Sequence, residues 1–420
     1  MLPPDPSERP AGRIALWLAG ASAVSVVFSI AVCQILLALA LAALLVSGLK
    51  LRFPPLGTPL ALFMLGTLIS MLLSADPAAG RPQLRKFFVF FVLLVLCSAF
   101  TKLAQIKFLV LAWAAAGTLS AVKGLIQFAQ KYQEAAFAGR NFYEYYVVER
   151  ITGFMSHWMT FSGQLLVILL MLAAFILFSP SARSWRLWAG LACAVLMAAA
   201  IVLGFTRSIW LAAGVASVYL IARWRRRLLW LLPVVIALGI ILAPGAVRTR
   251  LVSLFEPQQE IDSNQHRIVC WRTGWQMIKA HPWFGLGPEQ VRIQFDHYVP
   301  PDIPRPLPGG WYGHLHSIYV HYAAERGTPT ALALVWLLLK ILLDFLSALK
   351  KLPPGPGEAR FILQGATAVV IAIMVEGFFE LNLGDSEVLT LVLAVVAAGY
   401  VAREHVASGG GAASAELTST

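Results

Sequence analysis

Charged side chains are scarce in this chain. Only 13% of its 420 residues are Asp, Glu, Lys or Arg, whereas 59% are hydrophobic, and the mean hydropathy is +0.73. No soluble domain needs so much apolar surface, so the composition predicts an integral membrane protein. The apolar runs are too long and too continuous for the alternating strands of an outer-membrane barrel. Because helices are the other structure that can span a bilayer, the sequence predicts an all-α polytopic membrane protein.

Cysteine is also rare. Three of the four cysteines, Cys33, Cys97 and Cys193, lie in apolar runs, and Cys270 lies in a long polar loop. A single loop cysteine has no obvious partner, so no structural disulfide is expected. No Cys/His cluster has the sequence spacing of a zinc site. The sequence therefore predicts neither a bound metal nor a cofactor.

Basic residues set the predicted orientation. The net charge is +12, but much of it lies in short loops between apolar runs, so no nucleic-acid partner is expected. At roughly 20 residues per span the runs give about twelve transmembrane helices, provided that 14–48 and 187–222 are each split in two. The arginines of 223–227, together with Lys350 and Lys351, then fall on one side. That side is predicted to be the cytoplasm, with both termini there.

This count divides the chain into five parts. Residues 1–13 form a cytoplasmic amino-terminal segment, and 14–244 hold helices one to nine, including a non-cytoplasmic loop at 131–156. Residues 245–315 form a second, long non-cytoplasmic loop that contains short helices. Residues 316–403 hold helices ten to twelve. The segment 404–420 is rich in Ser, Gly and Ala, which predicts a disordered cytoplasmic tail.

Arginines on the non-cytoplasmic side run against the usual charge bias. They are Arg140, Arg150, Arg248, Arg250, Arg267, Arg272, Arg292 and Arg305. A guanidinium group presents a planar fork of donors that suits phosphate oxygens, so the surplus indicates an anionic ligand. Arg150 is either one such phosphate ligand or the ion-pair partner of an acid such as Glu149.

Arg207 lies near the centre of the run 187–222. A charge at mid-bilayer costs about 3 kcal/mol, so the run is predicted to break at Thr206-Arg207-Ser208. The free amides of a new helix start could then bind an anion beside the guanidinium group. The alternative is a plain turn charge that reaches the lipid headgroups.

The long loop contains a predicted amphipathic helix. Ile268, Trp271, Trp275 and Ile278 recur at helical spacing and form one apolar stripe. The helix is expected to lie on the membrane or to cap the helix bundle. Arg267 adjoins the stripe and should face inward, although simple interfacial anchoring is the alternative.

Three histidines follow at the end of this loop. His314, His316 and His321 precede Glu325. A histidine near its ordinary pKa of about 6.5 can accept the proton of a hydroxyl nucleophile. The alternatives are a hydrogen-bonded interfacial histidine and, since no HExxH spacing is present, a less favoured metal site. On a helix, His321 and Glu325 share a face away from His316, which favours structural roles for that pair.

These stretches, in this order, resemble the O-antigen ligase/polymerase family of bacterial inner-membrane proteins. Members usually have Asn after the histidine, where this chain has Ser317. The resemblance covers roughly residues 150–330. It is carried by Arg150-Ile-Thr-Gly-Phe, Thr206-Arg207-Ser208, Arg267 with Trp271 and His281-Pro-Trp-Phe-Gly-Leu-Gly, and His314-Leu-His316-Ser-Ile-Tyr with Glu325-Arg-Gly327.

The resemblance implies a metal-independent, inverting glycosyltransferase of the membrane-embedded C type, with its active site facing the periplasm. The donor would be a glycan on undecaprenyl diphosphate, which Arg207, Arg267 and Arg150 would bind. His316, or alternatively His314, would accept the proton of the acceptor hydroxyl.

The acceptor distinguishes the members of this family. A single long loop favours a ligase, for which the acceptor is lipid A–core, over a polymerase that extends the glycan. Membrane lipid would surround the enzyme. A lipid or polysaccharide transporter is the alternative from another class, but the charges gather at one side and no internal repeat is evident.

Overall fold

The computed structural model describes residues 10–180, 185–253 and 264–417, and within these ranges it contains helices and no strand. Residues 1–9 of the predicted amino-terminal segment, 254–263 of the long loop and 418–420 of the tail lie outside the described residues. The helices are α1 (Pro10–Ser25), α2 (Ile30–Ser47), α3 (Gly57–Leu72), α4 (Arg81–Arg85), α5 (Phe91–Ala99), α6 (Leu103–Phe137), α7 (Phe142–Val148), α8 (Trp158–Phe178), α9 (Trp185–Leu203), α10 (Arg207–Arg225), α11 (Leu232–Leu242), α12 (Gly245–Val252), α13 (Asn264–Ala280), α14 (Gln290–Tyr298), α15 (Ile318–Arg326), α16 (Thr328–Lys350), α17 (Glu358–Glu376) and α18 (Ser386–Leu417).

Several of these helices can cross a bilayer. Large apolar side chains such as Trp17, Phe108 and Leu332 are exposed on the outside of the bundle, where lipid tails would cover them. The all-α polytopic membrane fold is therefore confirmed, and the count of twelve spans stays a prediction. Seven segments of the described chain are long and apolar enough to span: Ile30–Ser47, Arg81–Ala99, Leu103–Phe137, Trp158–Phe178, Thr328–Lys350, Glu358–Glu376 and Ser386–Ser408.

Both predicted splits are present as helix boundaries. The run 14–48 forms α1 and α2, and Ser29 begins α2 by accepting a hydrogen bond from the amide of Val32. The run 187–222 forms α9 and α10, with Arg207 as the first residue of α10. The cost of a charge in the middle of an apolar helix is thus avoided by ending one helix before it.

A third break was not predicted from the sequence. The first helix expected in 316–403 is two helices, α15 and α16, separated by Gly327. This glycine has a φ of +83°, and a Cβ there would lie 2.0 Å from the carbonyl oxygen of Trp283. Only glycine fits such a close approach of two backbones in this conformation. Pro329 then favours the start of α16.

The face that α13 buries differs from the predicted stripe. Ile268 and Trp275 are 53% and 57% exposed, whereas His266, Cys270 and Met277 are buried. The buried face packs against α14 and α15 in a small core of its own. Trp271 and Ile278, the other two residues of the stripe, are partly buried, and Ile278 packs against both cores. The stripe therefore caps the bundle through two of its four residues, while Ile268 and Trp275 can contact the membrane interface.

The last helix, α18, runs from Ser386 to Leu417 and so extends into the segment 404–420, for which the sequence predicts a disordered tail. Three consecutive glycines within it oppose helix formation by about 1 kcal/mol each relative to alanine, and the disordered tail stays a prediction.

Candidate functional site

The turn between α9 and α10 organises a group of arginines. Phe205 has a φ of +51°, which is rare for a bulky residue, and its buried ring packs against Tyr146 with ring centroids 5.0 Å apart. Its carbonyl oxygen accepts hydrogen bonds from Arg250 Nε at 3.2 Å and Arg150 Nη1 at 3.5 Å. Residues held in this conformation cluster at functional sites, because the surrounding packing must maintain the strain.

Arg207 follows this turn and is almost fully buried. Its Nη1 donates to Ser253 Oγ at 3.1 Å, and its Nη2 donates to Asn264 Oδ1 at 2.6 Å. These bonds fix the guanidinium group between α10, the end of α12 and the start of α13. The predicted position of Arg207 at a helix start is confirmed.

Arg150 belongs to the same group. Burial, followed by the nearby positive charges of Arg250 and Arg267, lowers its pKa to about 9. Its Nε donates to the carbonyl of Val147 at 3.0 Å. The alternative partner, Glu149, instead lies 3.1 Å from Lys131. Arg150, Arg250 and Arg267 therefore repel one another, and a bound anion would relieve this repulsion.

Glu380 connects the arginines to a histidine. One of its carboxylate oxygens pairs with Arg267 Nη2, and the other lies 3.1 Å from His316 Nδ1. Burial alone raises the pKa of Glu380, but Arg267 and His316 outweigh burial and lower it to about 2. The carboxylate is therefore ionised at neutral pH. Arg267 faces inward, as predicted.

His316 lies before α15 and not on its face as expected. Its φ is +47°, and α15 begins only at Ile318, with Ser317 as its amino-terminal cap. Serine and asparagine cap helices about equally well, so Ser317 serves this role as an asparagine would. The indole nitrogen of Trp271 donates to the carbonyl of His316 at 3.3 Å, which helps to hold this unusual backbone.

The hydrogen bonds of the two neighbouring histidines distinguish them. An ionised Glu380 can only accept a hydrogen bond, so His316 must carry a proton on Nδ1. In the neutral imidazole the lone pair then lies on Nε2. This buried atom has no hydrogen-bond partner among the described residues. His314 Nδ1 instead accepts from the amide of His316 at 3.3 Å, so its proton lies on Nε2. Burial, followed by the charge of His316, lowers the pKa of His314 to about 3. His316 therefore offers a proton acceptor, and His314 offers none.

A polar cavity of about 570 Å³ opens beside these histidines. His321 and Glu325 lie 3.3 Å apart and both line it, so the expected structural pair faces the same space as His314. Carboxylates, imidazoles and one indole give the wall many hydrogen-bonding groups. The lining includes Lys86, His157, Glu289, Trp311, His314, His321, Glu325, Glu380 and Asp385.

Three residues of this region are not among the predicted site residues. Arg250 is buried in the arginine group, Glu380 joins that group to His316, and His266 packs near His316 with ring centroids 5.0 Å apart. Only the general arginine surplus pointed to Arg250. Although no metal was predicted, ligand atoms of His266, Cys270 and His316 lie within 4.8 Å of one another.

The family model described as O-antigen ligase matches residues 192–335. This segment contains Arg207, Arg267, His314 and His316, whereas Arg150 and Glu380 lie outside it. A comparison with curated proteins finds no match to this chain.

Proposed function

We propose that this chain, whose residues 192–335 match the family model described as O-antigen ligase, transfers a glycan from undecaprenyl diphosphate to a sugar hydroxyl of lipid A–core. The reaction takes place at the periplasmic face of the bacterial inner membrane. One observation carries this proposal: Glu380 joins a buried arginine group to His316, whose Nε2 is an available proton acceptor. An anion-binding group and a base therefore meet at one point.

The arginines bind the donor. Arg207, Arg267 and Arg150 hold the diphosphate, and their positive charge stabilises it as it leaves. As the acceptor oxygen bonds to the anomeric carbon, the bond from that carbon to the diphosphate oxygen breaks and its electron pair leaves with the diphosphate. The like-charge repulsion around Arg150 supports this role, since it is relieved when an anion is bound.

His316 Nε2 takes the proton from the attacking hydroxyl. The imidazolium ion that forms is stabilised by Glu380, much as the acid of a catalytic triad stabilises its histidine. A single in-line displacement without a covalent enzyme intermediate inverts the configuration at the anomeric carbon. His314 is a positioning residue, because its Nδ1 holds the backbone amide of His316.

The acceptor sugar occupies the 570 Å³ cavity. Glu380 and His314 line this space and both contact His316, which is not itself among the lining residues. The carboxylates of Glu325 and Asp385 can accept hydrogen bonds from sugar hydroxyls, and Trp311 offers an aromatic surface for a sugar ring.

A transfer assay with purified protein tests the proposal. We expect lipid-linked glycan to be joined to lipid A–core in an excess of chelator, because arginines supply the positive charge that many glycosyltransferases take from a divalent cation. The measurement is the formation of the joined product by gel mobility. Full dependence of this product on added Mg²⁺ or Mn²⁺ would overturn the metal-independent mechanism.

Lipopolysaccharide from a deletion strain separates the ligase from the polymerase. Free core together with accumulated long lipid-linked glycan is the result expected for a ligase. Core that carries a single repeat unit would instead identify the protein as a polymerase, and unlinked glycan held on the cytoplasmic side would identify a transporter.

Arg207→Lys tests the geometry of the diphosphate site. Lysine keeps the charge but loses the planar fork that reaches Ser253 and Asn264, so we expect transfer to fall about 10-fold or more. The matched control is Arg272→Lys, since Arg272 pairs with Asp302 on the exposed side of α13. The measurement is the initial rate at saturating acceptor. Equal rates for both variants would remove Arg207 from the donor site.

A further inference from the structure

Three side chains with metal-ligating atoms converge beside the proposed base. His266 and Cys270 are one helical turn apart on α13, and His266 Nε2 lies 3.8 Å from Cys270 Sγ. His316 approaches from the loop before α15, so that ligand atoms of all three residues lie within 4.8 Å of one another. With metal–ligand distances of about 2.0 Å to nitrogen and 2.3 Å to sulfur, a tetrahedral ion holds its ligand atoms about 3.3–3.5 Å apart. The His266–Cys270 pair is already close to this separation, and the widest pair must close by up to about 1.5 Å when the ion binds.

The surroundings of the His316 imidazole resemble those of a metal ligand. Its Nδ1 contacts the carboxylate of Glu380 at 3.1 Å. Ligating histidines almost always use their second nitrogen in such a bond, which fixes the orientation of the ring. The other nitrogen of His316, Nε2, is buried and has no hydrogen-bond partner within the described ranges.

We propose that His266, Cys270 and His316 form a zinc-binding site, and that zinc bound there inhibits the enzyme by occupying His316 Nε2. The inhibition by zinc rests on the proposed function, in which His316 Nε2 takes the proton of the attacking sugar hydroxyl. Two imidazoles and a thiolate are ligands that suit zinc, and three protein ligands leave a fourth position open.

Metal binding exchanges one proton for the ion. Burial raises the pKa of the Cys270 thiol to about 12, so the free protein holds a proton on sulfur. Zinc displaces this proton to solvent and forms a bond with the thiolate, while no electron is transferred. The thiolate offsets one of the two charges of the ion and Glu380 remains paired with Arg267, so the site gains one positive charge.

Cobalt provides a readout that is independent of activity. We expect the full-length protein in detergent, titrated with Co²⁺, to develop a thiolate-to-cobalt charge-transfer band that excess Zn²⁺ removes. Cys270→Ala and Cys270→Ser should both lose the band. Cys193→Ala is the matched control, because Cys193 is a half-buried free thiol on α9, and it should keep the band.

Transfer assays test the inhibition. Zinc should inhibit the wild-type and Cys193→Ala proteins, and chelator should restore their rates. Cys270→Ala should keep its rate in chelator and need at least 10-fold more zinc for half inhibition, because one strong ligand is missing. Thermal melting of each variant confirms that it is folded.

Distinct results separate the two proposals. A wild-type protein without the cobalt band, or Cys270→Ala and Cys270→Ser variants that zinc inhibits as strongly as the wild type, overturns the zinc site. A cobalt band in a protein that transfers glycan only with metal present keeps the site but overturns its inhibitory role and the metal-independent mechanism.

Discussion

His316→Gln should lower the rate of glycan transfer by about 10²–10⁴-fold, the usual contribution of a positioned general base. Glutamine can fill much of the space and still contact Glu380, but it cannot accept and release a proton near neutral pH. Loss of the base affects the chemical step, so the maximal rate should fall while the acceptor concentration at half-maximal rate changes little. Initial rates over a range of acceptor concentrations measure both.

His297→Gln is the matched control for this experiment. His297 is an exposed histidine on α14, and its replacement should leave the transfer rate unchanged. His314→Gln should give an intermediate loss, because that residue positions His316 through the backbone and has no acceptor nitrogen of its own. A His316→Gln protein with the wild-type rate would remove this residue from the mechanism. A greater loss in His314→Gln than in His316→Gln would reassign the base.

Glu380→Gln should reduce both stability and activity. The side chain is only 1% exposed and bonds to Arg267 and His316 at once, so neutralising it leaves the largely buried guanidinium group of Arg267, 17% exposed, without its counter-charge. Breaking a buried ion pair in this way costs about 3–5 kcal/mol of unfolding free energy. Transfer should also fall by at least 10-fold, because His316 loses the group that orients it and stabilises its charged form.

Equilibrium unfolding in detergent micelles measures the first effect. Glu404→Gln is the control, since Glu404 pairs with Arg52 where both side chains are more than a third exposed, at 47% and 42%. Such a surface pair contributes about 0–1 kcal/mol. An equal loss of unfolding free energy in the two variants would show that the contact between Glu380 and Arg267 does not behave as a buried ion pair.

The position of Arg207 shows what the sequence could predict. A charge in the middle of a 36-residue apolar run has a high cost in the bilayer, and this local rule was enough to locate the break between α9 and α10. The same applies to the inward position of Arg267. In both cases the physical reason is contained in a short stretch of chain.

His316 and Glu380 show where prediction from the sequence ended. The left-handed backbone of His316 depends on Trp271 and on the ionised Glu380, which come from other parts of the chain. The prediction treated His316 as part of the helix that holds His321, and therefore placed His316 on the wrong face and His321 away from the cavity. Likewise, no local pattern indicated that α13 would bury His266 and expose Trp275, because that choice depends on packing against α14 and α15.

The break at Gly327 has a mechanical consequence. Ser70 Oγ on α3 donates to the carbonyl of Glu325 at 2.7 Å, and the amide of Gly287 donates to the same carbonyl at 2.8 Å. The short helix α15 is thus anchored to α3 and to the loop after α13, and it is not a rigid extension of α16. The amide of Thr328 donates to the carbonyl of Pro282 at 2.8 Å, so the start of α16 is held by that loop too. The break thus fastens the end of one helix and the start of the next to a single loop.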